Sequence, residues 1–164
     1  MPVSSLSKMS ENPKAQMFDE LKDARTVMLG DASRDSLLPM TPYIRDHDDS
    51  IYFFTRAETT IAQSAGAESR MVFVSKGQDY HAYVRGRMER VFDKSIRDEF
   101  WSPTLAAWYE GKDDPAMVVI QFHPDTADVW ASTDNPLRFG FEIAKANMSK
   151  HDMPDVGGHA EVRF

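Results

Sequence analysis

Three β-prone runs within some thirty residues, joined by short polar turns, restrict this chain more than any other feature of its sequence. They occupy residues 26–29, 36–43 and 51–55, and the intervening segments hold Gly30-Asp31-Ala32-Ser33-Arg34-Asp35 and Asp46-His47-Asp48-Asp49. Parallel strands need a crossover of about a dozen residues or more, so connections this short read as an antiparallel meander. Pro39 stands inside the second run. Proline cannot donate to a ladder, so that strand has a sheet edge or a ligand beside it.

Further β-prone segments follow at 71–74, 81–91 and 117–122, with 127–130 extending the last. The run at 81–91 alternates: Ala82, Val84, Gly86 and Met88 face one way, Tyr83, Arg85, Arg87 and Glu89 the other. A glycine inside such a run predicts a bulge or a close backbone approach. Short helices are expected at the connections. Asn12-Pro13 pairs a capping residue with a proline suited to the first helical position, and Met17, Phe18, Leu21 and Ala24 share a face across 13–25. An Ala-rich helix is expected at 59–67, another after Asp93, another from Ser102-Pro103. Asn135-Pro136 opens a last helix with the stripe Leu137, Phe141, Ala144 and Met148, and with Lys145 and Lys150 near its C-terminal end, where cations suit the dipole. The chain thus reads as mainly β with short helices (α+β): a six-stranded antiparallel barrel plus a C-terminal helix. Residues 1–12 are expected to be flexible, 13–132 to form the barrel, and 133–164 to pack on it as helix and tail.

Composition removes whole classes of function. With no cysteine among 164 residues there is no disulfide framework, thiolate nucleophile or Cys-ligated metal. Against 19 Lys+Arg stand 26 Asp+Glu, a net charge of −7, which disfavours nucleic acid and anionic membrane surfaces as partners. No apolar run approaches the roughly 20 residues of a bilayer span, and the start lacks a secretory h-region, so a cytoplasmic location is expected. His47, His81, His123, His151 and His159 form no metal-binding motif, and no metal is expected. There is no G-x-S-x-G, G-x-G-x-x-G or P-loop.

What remains is a pair of neighbouring segments, Leu37-Leu38-Pro39-Met40-Thr41 and Tyr52-Phe53-Phe54-Thr55-Arg56, followed by Thr59 and Thr60 at a helix start. Threonine hydroxyls and backbone N–H groups there would make a phosphate cradle, although a threonine before a helix is more often only its cap. Trp101, Trp108 and Trp130 suit the core or a subunit interface, or a flat ligand stacked on one of them.

The order of several segments carries a resemblance: Pro39-Met40-Thr41, Phe53-Phe54-Thr55, Arg87-Met88-Glu89, Phe100-Trp101-Ser102-Pro103, Trp108-Tyr109-Glu110-Gly111-Lys112-Asp113-Asp114-Pro115 and Ala127-Asp128-Val129-Trp130. From about residue 13 to about 132 the chain resembles the general stress protein branch of the pyridoxamine 5'-phosphate oxidase-like, FMN-binding split-barrel proteins. The resemblance implies a split β-barrel that forms a homodimer with FMN at the subunit interface. It implies that Leu37, Leu38, Pro39, Met40 and Thr41 line the flavin ring, and that Phe53, Phe54, Thr55 and the following turn hold the phosphate. It also implies that Trp130 approaches the flavin from the partner subunit.

The chain departs from that pattern where charge matters. Leu38 stands where an arginine is frequent, and Thr59, Thr60 and Ile61 replace a serine followed by two basic residues. Thr59 keeps a hydroxyl, both cations are lost, and Arg56 is the nearest replacement. Charge-assisted bonds to phosphate are about twice as strong as neutral ones, so weaker FMN binding, or FAD in its place, is expected. The implied function is a flavin-dependent oxidoreductase with weak cofactor affinity and no catalytic residue identifiable from sequence. The alternatives are a non-catalytic flavin carrier or sensor in stress response, and a barrel that has lost its ligand and serves as an interaction module.

Overall fold

A computed structural model describes residues 5–133, 135–149 and 153–164. One antiparallel sheet dominates it. Its strands are β1 (Val27–Asp31), β2 (Leu38–Met40), β3 (Tyr43–Ile44), β4 (Ile51–Arg56), β5 (Glu68–Val74), β6 (Tyr80–Val91), β7 (Met117–Ser132) and β8 (Gly157–Arg163). The spatial order is β2-β1-β5-β6-β7-β4-β3, with β8 on the second half of β7. The helices are α1 (Ser5–Glu11), α2 (Pro13–Lys22), α3 (Thr60–Gln63), α4 (Lys94–Phe100), α5 (Pro103–Ala106) and α6 (Pro136–Met148).

Curling of the sheet follows from one short connection. β2 and β3 occupy opposite edges, yet only Thr41 and Pro42 separate them in sequence. Three residue steps span at most ~11 Å, so the two edges must come close together, and the sheet closes round into a split barrel. This corrects the meander. The run at 36–43 is not one strand; it breaks at Thr41-Pro42 into β2, paired with β1, and β3, paired with β4. That split and the additional strand β8 turn the expected six strands into eight among the described residues. β2 is an edge strand, as Pro39 requires.

The barrel interior collects alternate residues of the long strands. Val84 and Met88 of β6 meet Ile120, Phe122, Ala127 and Val129 of β7, with Phe53 and Met71 from either side. β6 and β7 slip register between Arg85 and Gly86, so Gly86 opposes Pro124 while Arg85 opposes Thr126. The predicted bulge lies there. α2 begins as read: the Asn12 side chain accepts from Ala15 N–H at 3.0 Å, and Met17 and Leu21 cover one end of the core. The Asp46–Asp49 turn is tied to α2 by Lys22 to Asp46 (3.0 Å) and Lys14 to Asp49 (2.7 Å).

Three further expectations need correction. The N-terminal stretch is helical from Ser5, because Met9 on α1 reaches the core; residues 1–4 lie outside the described residues. The helix at 59–67 is shortened to four residues, since Gly66 takes φ +94° and β5 starts at Glu68. The tail belongs to the barrel as β8, with Val162 buried and Phe164 edge-on to Phe18 at 5.9 Å, whereas α6 buries no side chain. Lys150, expected near the end of α6, lies outside the described residues. Among the described residues no helix is long and apolar enough to cross a membrane.

Candidate functional site

β4 is buried on both faces. Ile51 and Phe53 enter the barrel, while Tyr52 and Phe54 point outward beneath α4. Phe54 meets Tyr43 at 5.0 Å and Phe100 at 6.1 Å, both edge-on, a geometry favoured by aromatic quadrupoles. α5 and the loop after it add Leu105 and Tyr109 to this outer cluster. Between that cluster and the free edge of β2 lies an open cleft of about 280 Å³. Its lining combines Pro39, Met40 and Thr41 of the β2 edge, Tyr43, Phe54, Thr55, Arg56 and Thr59, and opposite them Thr104, Leu105, Trp108 and Tyr109.

The wall carrying Trp108 and Tyr109 is built by side chains that bind backbone. Ser102 caps α5 by accepting from Leu105 N–H at 3.3 Å, and Pro103 takes the first helical position. The Asp114 carboxylate accepts from Glu110 N–H (2.9 Å) and Ala116 N–H (2.8 Å), closing the loop on itself. Arg97 donates to the carbonyls of Lys112 and Met117. The S-P and D-D-P residues in the sequence are therefore the ties of this wall. The bonds from Glu110 and Ala116 hold the Asp114 carboxyl below its ordinary value, with smaller help from Arg56 and Arg97. A depressed folded value means that the tie is intact above the ordinary aspartate range and is lost as the pH falls below it. Asp114→Ala is expected to weaken binding in the cleft by about 3- to 10-fold, the effect of losing charge-assisted backbone bonds, while thermal melting of the barrel changes little. In the unsubstituted chain the affinity should hold as the pH falls through the ordinary aspartate range and weaken only below the depressed folded value. Binding titrations of both chains at neutral pH, and of the unsubstituted chain along a pH series that runs through and below that range, check both points.

Among the described residues Arg56 is the single cation lining the cleft. Its guanidinium pairs with Glu58 at 2.7 Å, and that hydrogen bond raises Arg56 and lowers Glu58, so both stay charged at neutral pH. Thr55 and Thr59 hydroxyls lie 2.8 Å apart, and Thr59 also donates to Arg56 O and accepts from Ala62 N–H. Burial raises Tyr43 and Tyr109, which keeps both phenols neutral. Among the described residues the lining holds no carboxylate, histidine or lysine. The donor set is thus an aromatic and apolar slot with a guanidinium and hydroxyls at one end. That chemistry suits a flat ring carrying an anionic tail. Because Glu58 competes for Arg56, Glu58→Gln is expected to tighten binding of a phosphorylated ligand by about 3-fold or more, an effect that shrinks in high salt. Titration with the ligand at two ionic strengths reads it.

The remaining residues singled out in the sequence fall elsewhere. Phe53 is fully buried in the barrel core, and Leu37 packs over Gly30. Leu38 and Thr60 line a separate small hollow beside Gly30 and Arg34, and Ile61 is buried in the core. Trp130 lies on the outer face beside His81 and His159, stacked on His159 at 5.1 Å, away from the cleft of its own chain. Sequence reasoning missed Tyr43, Thr104, Leu105 and Tyr109 as lining residues, and offered Trp108 only as one of three tryptophans on which a flat ligand could stack. The Trp108–Pro115 motif was the available signal, since so specific a run in a loop, far from the barrel core, marks a site rather than packing.

Comparison with known proteins agrees with this fold. The family model described as "Pyridoxamine 5'-phosphate oxidase like" matches residues 12–155. The structure of a protein described as general stress protein 26 from Jannaschia sp. CCS1 is 31% identical, with TM-score 0.83, covering 94% of this chain and 99% of that one. The general stress FMN/FAD binding protein of Xanthomonas citri is 34% identical, with TM-score 0.66, covering 74% of this chain and 89% of that one. General stress protein 26 of Bacillus subtilis (strain 168) is 32% identical over 47 residues, which is 29% of this chain and 34% of that relative. The chain thus aligns with about a third of the length of that curated relative.

Proposed function

Given that the chain belongs to the pyridoxamine 5'-phosphate oxidase like family, and shares its fold with general stress proteins, we propose that it binds a flavin in the cleft between β2 and the Trp108 wall. FMN is the expected ligand, and FAD the alternative. One observation carries this reading: an aromatic slot along a free strand edge, ending in Arg56 and the Thr55–Thr59 hydroxyl pair. The unpaired edge of β2 can bond the polar rim of the ring, Tyr43, Phe54, Leu105 and Trp108 exclude water from its faces, and Arg56 attracts the phosphate. The bound flavin would supply hydride or electron transfer, and the protein would position it and tune it. Affinity is weak because Arg56 is shared with Glu58 and no second cation lines the cleft.

On this reading the protein is an oxidoreductase of the cytoplasm that works as a homodimer. At about 280 Å³ the cleft of one chain is at the lower end of small-molecule pockets, about 300–1,000 Å³, which supports a partner subunit that completes it. A second reading, a flavin carrier or sensor in stress response, is favoured by the lack of any acid–base side chain in the lining besides two neutral tyrosines. Titration of flavin-stripped protein with FMN, FAD and riboflavin tests the common part. Saturation at one flavin per chain, with FMN ahead of riboflavin, is the expected result, and no saturation with any of the three would sink both readings. Steady NAD(P)H oxidation by the loaded protein separates enzyme from carrier.

A further inference from the structure

A 13-residue helix with no buried side chain is anomalous, since isolated helices of that length are marginal in water and gain their stability from packing. α6 leaves Leu137, Phe141 and Met148 exposed at 84%, 66% and 89%. One surface carrying so many large apolar groups marks an interaction site. Its own cleft cannot be the occupant. α6 leaves the barrel where Ser132 pairs with Gly157, and it is held there by Thr133 N–H to Val156 O (2.7 Å), Arg138 to Asp155 (3.4 Å) and Asp155 N–H to Glu142 (3.1 Å). The cleft stands at the other end of β7, where Met117 pairs with Arg56. Those ends are fifteen residue steps apart, ~50 Å along the strand, whereas α6 is ~20 Å long.

The cleft end shows the complementary need. Trp108 is 71% exposed at its rim, and the loop that carries it also holds Glu110 and Asp113. α6 carries Lys145 in its last turn, while Arg138 is already paired with Asp155. We infer that α6 of one copy seats its apolar stripe on the cleft mouth of a second copy, over Trp108, and closes the site. A two-fold pair makes this contact twice, helix of each copy on cleft of the other, and leaves neither apolar surface in water. The inference rests on the reading that the cleft is a ligand site shared by a pair of chains. It goes beyond that reading by assigning the closing element.

Because the chain has no cysteine, single-cysteine variants are clean probes. Phe141→Cys and Glu110→Cys chains, co-expressed and treated without flavin with a short bis-maleimide, are expected to give a peptide linking position 141 of one chain to position 110 of the other. Links of 141 to 141 alone, or no link, would overturn the inference. The double variant Leu137→Lys/Phe141→Lys alters only exposed positions, so its far-UV spectrum should be unchanged. Its dimer dissociation constant should rise at least 10-fold, and its FMN affinity should fall with it. An unchanged dimer by light scattering contradicts the docking. If the 141–110 link forms while no flavin binds, the docking stands and the flavin reading fails; saturation with FMN but no link has the opposite meaning.

Discussion

Gly86→Ala is expected to destabilise the protein by about 3 kcal/mol, the upper part of the usual range for overpacking. A Cβ built on Gly86 would lie 2.1 Å from the carbonyl oxygen of His123, 2.9 Å from its carbonyl carbon and 3.0 Å from the Phe122 ring. The first two atoms are backbone, so no rotamer change can relieve the contact. They also belong to the bulge where β6 and β7, the two longest strands, change register. Moving either strand would disturb Phe122, Met88 and Ala127 in the centre of the core. For a chain of this size about 3 kcal/mol corresponds to a fall in Tm of roughly 6–12 °C. Thermal unfolding followed by far-UV circular dichroism checks this. A Tm within a degree or two of the unsubstituted protein would mean that the strands do not approach so closely at Gly86.

Arg56→Glu should do to the ligand what Gly86→Ala does to the fold. The side chain is exposed and its pairing with Glu58 is a surface contact, so the barrel should melt as before. In the cleft, the substitution removes the only cation among the described lining residues and places a second carboxylate beside Glu58. FMN affinity is expected to fall about 10- to 100-fold, as losing a charge-assisted bond and gaining a repulsion to a phosphate dianion would require. Riboflavin has no phosphate and should bind within about 2-fold of its affinity for the unsubstituted chain. The ratio of the two affinities is therefore the readout, and parallel losses for both ligands would place the phosphate away from Arg56.

Local chemistry was legible in the sequence wherever it acted over a few residues. Asn12, Asp93, Ser102 and Asn135 each cap the helix expected of them, because a side-chain oxygen two or three residues from a free N–H is a local fact. Gly86 announced its bulge by interrupting an alternating run. The split of 36–43 was marked by Pro42, a second proline that cannot donate to a ladder, but only closure of the whole sheet makes Thr41-Pro42 the crossing point between two edges. β8 was hidden for a similar reason: Gly157 to Arg163 is polar and glycine-bearing, and becomes a strand because β7 offers it a ladder. At the candidate site, Pro39-Met40-Thr41 and Phe54-Thr55-Arg56 line one cleft. The opposite wall did not emerge, because the contact of Trp108 and Tyr109 with that cleft depends on α4 and α5 folding back over β4. Nor did Glu58 emerge as a competitor for Arg56, although it stands only two positions away.

A crystal of this protein soaked with FMN tests the central claim most directly. The ring should lie along the edge of Pro39–Thr41, facing Trp108, with its phosphate within hydrogen-bond distance of Arg56. FMN bound instead only on the outer face at Trp130 and His159 of an isolated chain, or a cleft that stays empty at saturating FMN, would contradict it.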